Sequence, residues 1–223
     1  MIVLVLTAFA GSAAKASEAD EARIQKLSPA AQALVAAGAM QLLGPNQAQA
    51  AAEFSKAIQL EPKCALLYRY RGEAYEGARN FPQALADYDT AIRLDPSYME
   101  AYAARGGLRF SQDQFEFAIP DLLKSTDFSS DKKYGFNTTT NLKLLDCYLQ
   151  EKQYAKVVEL STLALKQIPW ASYYRCRASA YLGLGENRKC VEDCDVGIKL
   201  DAGMVQLNEI RAEGMKRLAS THH

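Results

Sequence analysis

The residue types that could do chemistry are few in this chain, and their spacing serves chemistry badly. Cysteine occurs at Cys64, Cys147, Cys176, Cys190 and Cys194, with no C-x-x-C pair, and the two histidines are His222 and His223 at the end of the sequence. No zinc-ligand spacing results, so no metal and no cofactor are expected. With no histidine before position 222, the commonest general base is missing too. There is no G-x-S-x-G, no H-E-x-x-H and no glycine-rich phosphate loop ending in Lys-Ser/Thr. Asp193 with Asp195, and Glu73 with Glu76, are neighbouring carboxylates of the kind that helical surfaces carry in number. No residue is expected to be catalytic, and the chain is read as a non-enzyme. One cluster leaves three readings open. Cys190 and Cys194 are i, i+4 on one helical pattern, and Cys176 lies on the pattern facing it. They are buried small apolar side chains, or Cys176 forms a disulfide with one of them, or the three make a thiol or metal site.

The elements that must position these residues recur. "FSKAIQLEP" (Phe54 to Pro62) returns as "YDTAIRLDP" (Tyr88 to Pro96). Such self-similarity is the mark of a repeat architecture. The interval from Phe54 to Tyr88 sets the unit, and units of that length fall at 31–64, 65–98 and 99–132. Gly38, Gly72 and Gly106 share place 8, and Ala50, Ala84 and Ala118 share place 20. A polar stretch, Ser129 to Asn137, reads as a longer loop, and Asn137-Thr138-Thr139 within and after it is a glycosylation sequon. The pattern resumes as units 138–170 and 171–204, then a capping helix at 205–219 and a tail at 220–223. Each unit holds two helical patterns. In the second of them Ala84, Tyr88, Ala91 and Ile92 lie on one face at i, i+4, i+7 and i+8. Asn80 is expected to cap that helix, and Asp95-Pro96 to end it. Gly72 and Ala84 are read as small residues that let the two helices of a unit approach closely, and Tyr88 with Ala91 as a large-and-small pair in the packing against the next unit.

Two charged places keep step. Place 7 is Arg71, Arg105 and Arg177, and place 23, at the same interval each time, is Asp87, Asp121 and Asp193. In the fourth unit both change, to Leu144 and Leu160, and in the first they are Ala37 and Glu53. Joint presence and joint loss predict ion pairs between the helices of a unit, because removing one buried charge costs far more than removing both.

The seven-place pattern of the second unit resembles the tetratricopeptide repeat family: Tyr68, Gly72, Tyr75, Ala84, Tyr88, Ala91 and Pro96. The first unit keeps Gly38, Ala50, Phe54, Ala57 and Pro62, while the third has Ser125 and Ser130 where the family favours Ala and Pro. The resemblance implies an all-α, right-handed superhelical solenoid of about five helix–turn–helix units plus the capping helix. It implies a concave groove lined by the first helix of each unit. The groove residues would be Arg69, Tyr70, Glu73, Phe110, Leu142, Lys143, Asp146 and Arg175, with Val35, Ala39 and Leu42 as an apolar strip. The carboxylate clamp of the chaperone-binding members is not matched, since Val35, Ala39, Tyr70, Glu100 and Ala104 stand at its places. The function implied is a non-enzymatic adaptor that holds a peptide or partner protein in the groove. Self-association or service as an assembly subunit is the alternative.

Composition bounds the setting. The chain has 223 residues, 49% hydrophobic and 23% charged, enough for a sizeable core. Lys plus Arg is 26 and Asp plus Glu is 26, so no cationic excess points to nucleic acid. Ile2 to Ala10 is apolar but too short to span a bilayer. With Ala14-Lys15-Ala16 it reads as a signal peptide over 1–16, followed by a lead-in over 17–30. Export to the periplasm or outside follows, with no integral membrane segment left after cleavage.

Overall fold

In the computed structural model, residues 18–126 and 138–220 are described. The signal-peptide reading of 1–16, the polar stretch 129–137 with its sequon Asn137, and residues 221–223 lie outside them. The described residues form twelve helices and no strand. They are α1 (Glu18–Gln25), α2 (Pro29–Leu42), α3 (Gln47–Leu60), α4 (Ala65–Gly77), α5 (Phe81–Leu94) and α6 (Met99–Ser111). Then follow α7 (Phe115–Ser125), α8 (Thr138–Gln150), α9 (Tyr154–Gln167), α10 (Ala171–Gly183), α11 (Asn187–Leu200) and α12 (Val205–Ser220). The chain divides into two compact units, with the division between Leu108 and Arg109. In the first, α2 packs on α3, α3 on α4 and α4 on α5; in the second, α9 packs on α10, α10 on α11 and α11 on α12.

The turns inside the helix pairs explain why the pairs repeat so closely. Arg79, Asp113, Lys152 and Gly185 all have positive φ, from 54° to 76°. The next amide in each case reaches back to the last turn of the helix before it: Asn80 to Tyr75, Gln114 to Arg109, Gln153 to Tyr148 and Glu186 to Tyr181, at 2.8–2.9 Å. That is the six-to-one bond of a Schellman ending, which satisfies carbonyls that a helix end leaves open. The first pair cannot do this, because Pro45 stands in the corresponding turn and its φ is locked negative. There the Gln47 side-chain amide donates to Gly44 O at 3.0 Å instead.

After the first pair, the second helix of each pair ends in extended backbone. Glu61, Asp95 and Ile168 precede prolines, and Asp95 has φ −138° and ψ 92°. Asp201 adopts the same geometry before Ala202, and its carboxylate accepts from Gly203 N at 3.0 Å just as Asp95 accepts from Ser97 N. Asn80 departs from expectation. Its side chain makes no capping bond and pairs with Gln83 instead, while its backbone carbonyl accepts from Ala84 N at 3.1 Å.

The core uses one large-on-small contact repeatedly. A Cβ on Gly72 would lie 2.6 Å from the Tyr88 ring, and one on Gly38 would lie 2.8 Å from Phe54. Tyr88 therefore fills the space left by the glycine of its own helix pair, and does not serve only the packing against the next unit. Among the described residues no helix is long and apolar enough to cross a membrane.

Candidate interaction surfaces

The inner side of α4 is where the groove residues Arg69, Tyr70 and Glu73 were expected to be open. Arg69 and Tyr70 are each only 4% exposed. The reason is α1. Its Asp20 carboxylate, 1% exposed, accepts from Arg69 Nη2 at 2.6 Å and from the Tyr98 hydroxyl at 2.8 Å. Arg69 Nε donates to that same hydroxyl at 2.6 Å, and its Nη1 bonds Glu73 one turn on. Arg23 reaches Asp95 at 3.0 Å and Asp20 at 3.3 Å while stacking 4.2 Å over the Tyr98 ring. Arg69 lies 4.4 Å from the Tyr70 ring centroid. Ile24 and Leu27 carry the apolar side of this docking into one cluster with Val35, Leu66, Leu67 and Tyr70. Val35 and Ala39 are buried as well, so the apolar strip of the first pair is core, not surface.

The electrostatics of this cluster follow from its burial. Burial works against the charge on Arg69, yet Glu73, Tyr98 and Asp20 outweigh it and hold the guanidinium charged well beyond its usual range. Burial pushes the Tyr98 hydroxyl well up despite Arg69, so it stays a donor for Asp20. The Glu73 carboxyl is also raised, by burial first, with Arg69 opposing. Arginine suits such a site because it offers several fixed donors at once. Tyr98 and Asp20 were not among the candidates in the sequence, since each stands outside the repeat's diagnostic places.

The second compact unit keeps its inner face more open. Asp146 on α8 pairs with Arg175 on the adjacent α10 at 3.0 Å, and the two side chains are 32% and 23% exposed. Burial lowers the Arg175 affinity for its proton, but Cys176 and Asp146 more than restore it. Lys143 and Leu142 stand half-buried one turn before Asp146, and Leu142 packs on the core. Phe110 is half-buried edge-on to Phe115 at 5.8 Å, so its ring serves local packing.

A family model of the tetratricopeptide repeat matches residues 65–98. By sequence the match spans one repeat, and beyond it the likeness to tetratricopeptide-repeat proteins is one of fold. Solved structures have the same fold. YrrB, described as a TPR protein with an unusual peptide-binding site, is 16% identical at a TM-score of 0.69, covering 88% of this chain and 99% of its own. MamA is 19% identical at 0.63, covering 76% and 96%. PilF of Pseudomonas aeruginosa is 19% identical at 0.62, covering 88% and 90%. No curated protein matches the chain.

In these tetratricopeptide units the charged places form joints. Arg71 holds Asp87 with two bonds of 2.8 Å, and Arg177 holds Asp193 with two of 2.7 Å. This is the bidentate geometry that makes Arg–carboxylate pairs strong. The same arginines also reach back to the preceding helix pair: Arg71 to Ser55 at 3.2 Å and Arg177 to Thr162 at 3.1 Å. Arg105 reaches back to Asp89 and Arg211 to Asp195, each at 2.5 Å. Asp121 accepts from Arg109 at 2.8 Å, both within the second compact unit, whereas Arg105 belongs to the first. Leu144 and Leu160, which replace the pair in the fourth unit, are both buried in one apolar cluster.

The cysteine readings resolve toward packing. All five thiols are free. Cys176 faces α8, with Asp146 3.9 Å away, whereas the Cys190 sulfur faces α12 at Ile210 O, also 3.9 Å. Cys194 shares the α12-side cluster with Leu207. The disulfide from Cys176, one of the three readings, is not formed, because Cys176 and the Cys190–Cys194 pair sit in different clusters. No group of three or more metal-ligating side chains occurs among the described residues. Burial pushes the Cys176 and Cys147 thiols up to about 12. Thiolate is the reactive form, so these groups are chemically quiet. Titration of native protein with an aromatic disulfide reagent at pH 8 is expected to modify the half-buried Cys64 slowly and the others only after denaturation, when five thiols count. Rapid modification of Cys176 or Cys190 in native protein would contradict this packing.

Proposed function

We propose that the chain is a non-enzymatic interaction module whose partner, a peptide or a protein segment, lies along the first helices of the fourth and fifth tetratricopeptide units. One observation carries this reading: α8 and α10 present the Asp146–Arg175 pair, partly open to solvent, beside Lys143. Arginine is enriched among the strongest contacts of interfaces, and a partner laid over this partly open pair would complete its desolvation. The fold supports protein binding in general, and no catalytic motif in the sequence competes with it. Residues 1–16 are read as an export signal, so the mature chain would begin at Ser17 in the periplasm or outside; the mass of the mature N-terminal peptide tests this.

The exposed apolar side chains of α12, Val205 at 64% and Met215 at 47%, favour self-association as the second reading. One experiment separates the two. The tagged full chain is used for affinity capture from its own host, beside a Lys143→Ala, Asp146→Ala, Arg175→Ala chain. Removing both members of the pair together avoids leaving either charge alone. A partner held by the first bait and lost by the second is the expected result. Recovery of the chain alone would replace the adaptor reading with self-assembly.

A further inference from the structure

We propose that the seat of α1 is a binding site for an amphipathic helix built around one carboxylate, and that α1 fills this site in cis in the free chain. The inference rests on the reading of the chain as an interaction module, but it concerns a different face. The receptor side comes from α4 and the turn before α6: Arg69, Tyr70 and Glu73, then Asp95 and Tyr98. The ligand side is the pattern Asp-x-x-Arg-Ile-x-x-Leu of Asp20, Arg23, Ile24 and Leu27. Each ligand group has a defined counterpart. Asp20 takes Arg69 and the Tyr98 hydroxyl, Arg23 takes Asp95 and the Tyr98 ring, and Ile24 and Leu27 enter the apolar cluster.

Part of the receptor is organised apart from α1, since Arg69 is oriented by Glu73 and the Tyr70 face within α4 itself. The cis ligand is the weaker partner. α1 has eight residues, below the length at which an isolated helix stands in water, and it buries one large apolar side chain, Ile24, with Leu27 of the following connection beside it. Its advantage is attachment: the short connection Lys26 to Ser28 joins it to α2 and keeps its effective concentration high. A partner helix with the same four groups makes the same contacts and can extend further than α1 does. Its apparent affinity is reduced by the fraction of time α1 occupies the site.

The probe is a fluorescein-labelled peptide of residues 18–28, read by fluorescence anisotropy against full chains. Wild-type chain is expected to bind it weakly. A full chain carrying Asp20→Asn and Ile24→Ala is expected to bind about tenfold tighter or better, because its own α1 competes poorly. A peptide carrying Asp20→Asn is expected to lose about tenfold on that chain, and so is the native peptide when Tyr98→Phe is added. Equal binding to both chains, or indifference to the Asp20 change in the peptide, overturns the proposal. An unaltered chain gives a second route should the double variant fold poorly. In ¹⁵N-labelled wild type, excess unlabelled peptide is expected to move the amide signals of Asp20–Gln25 toward unfolded positions, and signals that stay put overturn it. Failure here with a partner captured as above would leave the adaptor reading on the α8–α10 face. Success here with no partner captured would fail that reading alone.

Discussion

Arg69→Ala is expected to lower the unfolding free energy by about 3–5 kcal/mol, the range for breaking a buried charge pair by removing one partner. The change strips Asp20, 1% exposed, of its closest cation and leaves the Tyr98 hydroxyl with one bond fewer. The loss has a ceiling set by topology. α1 is joined to the repeats on one side by a short connection, so it can leave its seat and return Asp20 to water rather than hold an uncompensated charge. The measurable signature is therefore double: a lower urea midpoint, and amides of α1 that exchange with solvent before the rest. Asp20→Asn should release α1 with a smaller change in midpoint, since it leaves no charge behind on the α1 side and Arg69 keeps Glu73. If Arg69→Ala left both the midpoint and α1 protection unchanged, the ion cluster would not be what holds α1.

Tyr88→Ala should cost about 3–5 kcal/mol as well, by a different route, since a fully buried aromatic is truncated to a methyl group. Its ring occupies the space over Gly72, and its hydroxyl donates to Glu76 at 2.7 Å. The cavity would open between α4 and α5, where a glycine offers no side chain to fill it. Tyr88→Phe separates the terms: it keeps the ring and gives up the hydroxyl bond, a loss of about 1 kcal/mol. Against a total stability of about 5–15 kcal/mol for a typical domain, Tyr88→Ala should shift the urea midpoint plainly and Tyr88→Phe barely. Similar losses in the two variants would mean that the hydroxyl, not the packing, is what Tyr88 supplies.

The all-α repeat fold was legible because its determinants are local and periodic. Gly38 with Phe54 recurs one repeat later as Gly72 with Tyr88, and each pair meets inside one helix pair. The constant spacing between Arg71 and Asp87, and between Arg177 and Asp193, is visible in the chain for the same reason. The state of the inner face was not legible. Asp20 lies 49 residues from Arg69 and 78 from Tyr98, and occurs once, so no period advertises it. Position in the repeat places Arg69 on the inner side of α4; it says nothing of what covers that side. The bonds of Arg71 to Ser55 and of Arg177 to Thr162 were missed too, because a hydroxyl at one site and a carboxylate at the next hide a shared place behind different letters.

Those backward bonds bear on how the chain comes apart. Repeat arrays behave as one-dimensional systems in which each segment is stable on its own account plus a term for its neighbour. An arginine that grips both its own second helix and the helix before it places part of that neighbour term in a single side chain. Melting then cannot stop between Arg71 and Ser55, or between Arg177 and Thr162, without breaking a polar joint at the boundary. In the fourth unit, where the Arg–Asp pair is replaced by Leu144 and Leu160, the grip is apolar and undirected. An unfolding front arriving from α12 meets joints at Arg211 and Arg177, the second of which carries it on into α9; among the described residues α8 has no such arginine, so the front's place to pause is the start of α8.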